Sequence, residues 1–241
     1  IATWQLFVDD LRLFEARKGH FESLHDCFTR ELKAGARPID RDTEVLSSPC
    51  DAVIGEFGQV NGFSAIQAKG FPYAIDDLLS NGDTAKRYRD GRFITLRLKS
   101  SMYHRFHAPC DARLKEITYI SGDTWNVNPI ALKTVERLFC KNERAVLNLE
   151  PESSGAVTLV AVAAILVASM RIHGLAYPLD LRYKGANRIP CQRTLRKGDE
   201  IGFFEHGSTI IVFATPEFCF SDSLAIGETI RMGQPLMTRL R

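Results

Sequence analysis

The sequence predicts an α+β fold that is mainly β: a single β-rich domain with barrel- or sandwich-like sheets and a helical N-terminal segment. Three observations carry this expectation. Strand-like patterning is clear in Phe93-Ile94-Thr95-Leu96-Arg97-Leu98 and again from Ser208 to Phe213. After Pro38 most of the chain consists of short β-type segments broken by glycine, proline and asparagine. Before it, Leu6, Phe7, Leu11, Leu13 and Phe14, then Phe21, Leu24, Phe28 and Leu32, recur at helical spacing.

Taken in order, residues 1–35 read as an amphipathic segment of two helices parted near Lys18-Gly19, and residues 36–241 as the β-rich domain. Two short helices interrupt the strands, at Ala74 to Leu79 and at Ile130 to Phe139, the second entered through Asn128-Pro129. The apolar run from Gly155 to Met170 is shorter than the roughly 20 residues a spanning helix needs. Its many β-branched residues fit two consecutive buried strands joined near Ala163-Ala164. No repeat or linker divides the domain.

At 241 residues and 45% hydrophobic content the chain can bury a sizeable core. With 31 basic against 29 acidic residues, nothing global argues for nucleic acid as a partner. Cys27, Cys50, Cys110, Cys140, Cys191 and Cys219 form no Cys-x-x-Cys pair, so they read as reduced thiols of a cytoplasmic protein without a metal site.

Three segments concentrate groups that ionise or attack. Ser48-Pro49-Cys50-Asp51 places an aspartate after a proline-set turn, where a purely local turn role is the simplest reading. Tyr103-His104-Arg105-Phe106-His107-Ala108-Pro109 holds two histidines three residues apart, suited to proton transfer, with packed structural histidines as the alternative. No His-Glu-x-x-His pattern or carboxylate cluster completes a metal-ligand set there. Gly207-Ser208-Thr209 runs into the strand-like Ile210-Ile211-Val212-Phe213; alone it reads as a turn, and it is not a Gly-x-Ser-x-Gly elbow.

In this order the three segments resemble the phosphatidylserine decarboxylases, whose pattern runs Ser-Pro-x-Asp, Tyr-His-Arg-x-His-x-Pro and Gly-Ser-Thr. Phe28-Thr29-Arg30-Glu31-Leu32, Ala36-Arg37-Pro38-Ile39-Asp40, Gln67-Ala68-Lys69-Gly70, Val127-Asn128-Pro129 and Asn142-Glu143-Arg144 extend the resemblance over nearly the whole chain from about Phe21. The resemblance implies a proenzyme that cuts its own backbone between Gly207 and Ser208 into a β chain (1–207) and an α chain (208–241). His107, oriented by Asp51, would take the Ser208 proton as the hydroxyl attacks the preceding carbonyl. Ser208 would become a covalent pyruvoyl cofactor that forms a Schiff base with the substrate amine, and His104 would donate a proton or position the substrate. Arg105 and Lys69 are candidates for a phosphate or carboxylate.

The implied reaction converts phosphatidylserine to phosphatidylethanolamine and CO2. The implied setting is a homodimer in peripheral contact with the inner face of a membrane. Two departures bear on substrate: family glycines are replaced by Ala163 and Ala168, and His206 stands where leucine is familiar. A free amino acid or another serine-headed lipid is therefore the rival substrate class. A non-processing β-rich binding module is the rival of a different kind.

Overall fold

Strands buried on both faces need continuous apolar residues rather than alternation. VTLVAVA in β9 (Val157–Ala163) and STIIVFA in β14 (Ser208–Ala214) have this character, and both are buried at every position. They lie side by side, antiparallel, in the middle of an eight-stranded sheet. The computed structural model describes residues 11–68, 71–164, 169–205 and 207–240.

From β12 (Arg188–Leu195) at one edge the sheet continues through β7 (Ala112–Ile120), β8 (Arg144–Pro151), β9, β14, β5 (Arg92–Leu98) and β2 (Ala52–Gln59) to β16 (Thr229–Ile230). Every pairing in it is antiparallel. Smaller sheets pack on one face. One is ordered β11 (Leu179–Asp180), β10 (Ser169–Ile172), β13 (Glu200–Phe204), β6 (Arg105–His107); the other β1 (Val45–Ser47), β17 (Pro235–Arg239), β15 (Phe218–Phe220). Leu147, Leu159, Ile210 and Val212 of the large sheet meet Phe106, Met170, Phe204 and Leu236 in this inter-sheet core.

The opposite face carries a second core, formed by Val146, Val160, Val162, Ile211 and Phe213. It is covered by α2 (Ile75–Leu79), α3 (Gly82–Arg87), α4 (Pro129–Thr134), α5 (Leu138–Lys141) and the hairpin of β3 (Ser64–Ala68) and β4 (Phe71–Ala74). The architecture is α+β, mainly β and sandwich-like, with no closed barrel among the described residues.

The helix expected over Ile130 to Phe139 is two helices. Asn128 caps the first through a bond from the Ala131 N–H at 2.8 Å, and the backbone breaks where Arg137 turns left-handed at φ 55°. Residues 1–10, with Leu6 and Phe7 of the first expected helix, lie outside the described residues; from residue 11 on, the segment is less helical than its spacing predicts. Among its described residues it holds a 3-10 turn at Leu13–Glu15 and the five-residue α1 (Leu24–Phe28), capped by Ser23. Tertiary bonds override the local period here. Buried Arg30 donates to the carbonyls of Cys27, Leu11 and Ser101, and Ala16 bridges Leu32, so the segment folds back as a strap. No helix among the described residues is long and apolar enough to cross a membrane. The first part of the Gly155 to Met170 run is β9, and β10 begins at Ser169.

Gly202 lets β13 lie close to its neighbours, since a Cβ there would strike the Arg171 carbonyl oxygen and the Phe106 ring. Gly202→Ala is expected to destabilise the fold by about 1–3 kcal/mol, as overpacking does. The measurement is the urea midpoint, with the slope of the transition unchanged.

Candidate active site

Ser208 opens β14, opposite Leu98 of β5 on one side and Ala163 of β9 on the other. Even-numbered residues of β14 point into the inter-sheet core, so the Ser208 side chain shares the face of Ile210 and Val212. It is fully buried, and its Oγ has no hydrogen-bond partner. Buried hydroxyls are rarely left this way. The carbonyl before it is fixed: Gly207 O accepts the Ala164 N–H at 2.9 Å.

Asp51 lies where the turn Ser48-Pro49-Cys50 enters β2, and Ser48 Oγ closes that turn on Cys50 O at 2.8 Å. The carboxylate is 1% exposed and fully engaged. Arg37 donates its Nε to Oδ1 at 2.8 Å and its Nη2 to Oδ2, Arg231 Nη1 donates at 3.2 Å, and Met232 N–H donates at 2.9 Å. Arg37 also pairs with Glu15 at 2.9 Å. Burial opposes the charge on Arg37, but the bonds to Asp51 and Glu15 outweigh it and raise the guanidinium above its ordinary value.

His107 ends β6 with both ring nitrogens engaged. Nδ1 meets Gly198 O at 2.9 Å, and Nε2 meets the Tyr103 hydroxyl at 3.0 Å. The carbonyl contact makes Nδ1 the donor and leaves Nε2 as the acceptor of a neutral ring. Burial lowers the His107 pKa, against the opposing bond to Gly198. His104 is fully buried, stacks on Phe28 with ring centroids 3.8 Å apart, and donates from Nδ1 to Met102 O at 2.9 Å. Its Nε2 has no partner, and burial pushes its pKa down to about 3.

Asp51 and His107 are tied through the backbone, where His107 N–H donates to Pro49 O at 2.8 Å, two residues before the aspartate. Their side chains share no hydrogen bond, and neither bonds Ser208 Oγ. Arg105 is turned to structural use: it pairs with Glu200 at 2.8 Å, donates to the carbonyls of Thr29 and Arg30, and lies over the Phe203 ring. Lys69, Ala168 and His206 lie outside the described residues. Among the described residues no cluster of His, Cys, Asp and Glu could hold a metal ion. Sequence reasoning gave no role to Arg37 or Tyr103, although each lies inside a quoted motif segment.

The same chain matches the family model described as phosphatidylserine decarboxylase over residues 24–238, which include every one of these side chains except Glu15. The chain belongs to the phosphatidylserine decarboxylase family. It is 38% identical to the phosphatidylserine decarboxylase proenzyme of Vibrio cholerae serotype O1, across 90% of this chain and 78% of the relative. With that of Vibrio parahaemolyticus it shares 36%, across 98% of this chain and 86% of the relative. With that of Aliivibrio fischeri strain MJ11 it shares 37%, across 89% and 77%. Each of these relatives is named as a proenzyme.

The neutral His104 couples folding to pH. The unfolded chain binds a proton on this ring below about pH 6.5, whereas the folded one refuses it until about pH 3, so stability falls as pH drops through that window. The loss of urea midpoint between about pH 7.5 and about pH 5 is expected to be smaller in His104→Gln than in the parent.

Proposed function

We propose that the chain is a proenzyme that cuts itself between Gly207 and Ser208 and then decarboxylates phosphatidylserine to phosphatidylethanolamine. The observation that carries this reading is the Ser208 hydroxyl, buried without a partner next to a scissile carbonyl held at 2.9 Å by the Ala164 N–H. That N–H is already placed to stabilise negative charge on the carbonyl oxygen when Ser208 Oγ attacks the Gly207 carbon.

His107, neutral and with an accepting Nε2, is the assigned base; the Tyr103 hydroxyl now on that nitrogen must give way to, or relay, the serine proton. Asp51 acts with Arg37 to hold the turn whose Pro49 carbonyl fixes the His107 backbone. The attack forms a C–O bond as the Gly207–Ser208 C–N bond breaks and the nitrogen takes a proton. Loss of the Ser208 Cα proton then expels the Gly207 carboxylate and leaves dehydroalanine, which water converts to a pyruvoyl end with release of ammonia. The side-chain position is dry and free of competing bonds, so it suits that group.

The pyruvoyl group supplies an electron sink for the pair left when carbon dioxide departs. His104 holds a neutral ring whose free Nε2 can only accept, and it is assigned to position the substrate by accepting a hydrogen bond from it. Peripheral contact with the inner face of a membrane is supported by Phe14 and Leu24, which stand 68% and 57% exposed on the N-terminal strap. Ala163, directly opposite Ser208, keeps a free amino acid or another serine-headed lipid as the rival substrate class.

On a denaturing gel the parent is expected as two fragments and Ser208→Ala as one. His107→Ala and Asp51→Asn should be cut more slowly, by roughly 100-fold for loss of the base. His104→Ala should be cut yet release little carbon dioxide. Release from phosphatidylserine vesicles, and none from free amino acids, is the expected substrate outcome; the reverse would overturn the lipid assignment while leaving self-cleavage standing.

A further inference from the structure

Glu143 is fully buried between β7 and the start of β8, in a place no step above uses. Its Oε1 meets the Tyr119 hydroxyl at 2.7 Å, and that hydroxyl also lies 2.7 Å from Asp180 O. A phenol has one proton to give. That proton is shared between Glu143 Oε1 and Asp180 O, so an ionised carboxylate would be offered only part of one hydrogen bond. Glu143 Oε2 has no partner at all.

Strand register relates this carboxyl to the scissile bond. Ser208 is opposite Ala163. Arg144 is opposite Val162, and Ala163 N–H donates to Glu143 O at 2.9 Å, so Glu143 is opposite Ala163. Ala161 of β9 and Ala145 and Leu147 of β8 point into the inter-sheet core, as do Ile210 and Val212 of β14. Ser208, Ala163 and Glu143 thus form one row across three strands on the same face. Two inter-strand spacings put their ends about 10 Å apart at Cα. The residue between them in the row, Ala163, carries only a methyl group.

We propose that Glu143 is the uncharged wall of the self-cleavage site, facing Ser208 across Ala163, and that rapid cutting requires its carboxyl to keep its proton. This rests on the self-cleavage reading above. Attack by Ser208 builds negative charge on the Gly207 carbonyl oxygen. A second negative charge in the same dry interior about 10 Å away would slow it on the order of tenfold at an effective dielectric of roughly 20.

The surroundings suit a retained proton. Burial raises the Glu143 pKa to about 7, the Tyr119 bond works against that rise, and the Asp180 charge adds to it. The groups facing it are few. Tyr119 comes from β7 and Asp180 from β11, and Asp123 offers its backbone oxygen to Glu143 N–H. The guanidinium of Arg144 is turned to the carbonyls of Asp77, Leu78, Cys140 and Asn142, leaving the carboxyl without a cation.

The test follows conversion of newly synthesised full-length chain to its two fragments in a cell-free system across pH. In the parent, the rate should step down on the order of tenfold as pH rises through about 7. Glu143→Gln should lose that step. Tyr119→Phe removes a bond that favours the ionised form, so it should move the step to higher pH, a shift that a packing defect would not produce. The same step in Glu143→Gln, or a step in Tyr119→Phe that stays or moves down, overturns the inference.

Infrared titration of the uncut Ser208→Ala chain reads the carboxyl directly. A protonated carboxyl band that fades near pH 7 and is missing from Ser208→Ala/Glu143→Gln is expected; a carboxylate throughout overturns it. Cutting of Ser208→Ala would instead sink the self-cleavage reading itself.

Discussion

The double pairing of β14 is the constraint on which the site depends. Bonded to β5 on one side and β9 on the other from Ser208 to Ala214, the strand cannot slip without turning every apolar side chain to the wrong face. That fixed register sets the direction of the Ser208 hydroxyl. It also presents the Gly207 carbonyl to the Ala164 N–H and aligns Ala163 and Glu143 beside the serine. Ser208 and the Gly207 carbonyl are positioned by the most deeply buried part of the large sheet, whereas His107 comes from β6 of a smaller sheet and His104 from the segment leading into it.

Around this strand, buried polar groups divide into two kinds. The Arg37–Asp51–Arg231 group is closed, every carboxylate oxygen taken, as a buried charge requires if it is not to destabilise the fold. Ser208 Oγ, His104 Nε2 and Glu143 Oε2 are open. Buried atoms left open forgo stability; Thr209 Oγ1 and Thr95 Oγ1 are open as well, so it is the proposed chemistry and not openness alone that sets the first three apart. Asp51 thus stands nearer the structural kind than motif order alone suggests, holding the turn against which His107 is hung.

Much of this was legible in the sequence, for physical reasons. The apolar run that contains β9 announced a buried strand, β14 was legible as a strand though not as one buried on both faces, and the motif order announced the family. What could not be read were partnerships across the chain. Nothing near Arg37 indicates that it clasps an aspartate 14 residues on. The burial of Glu143 arises only when Tyr119 and Asp180 arrive from other strands. Arg105 resembled an anion-binding residue because a free arginine and one holding a strap to Glu200 look alike in sequence. From residue 11 on, the N-terminal period of 3.6 yields to the carbonyls that Arg30 gathers, and the chain there runs as a strap.

The α chain, residues 208–241, does not form a compact piece of its own. It supplies β14 to the middle of the large sheet and β16 to its edge, and it provides β15 and β17 of the three-stranded sheet. Under the proposed cut at residue 207, the molecule would become an association of two interleaved polypeptides that were threaded together while still one. Its unfolding would then acquire the concentration dependence of a complex. The eight-stranded and three-stranded sheets would each be divided between the fragments, so the proposed maturation would turn a reversible fold into one maintained by its barrier to unfolding.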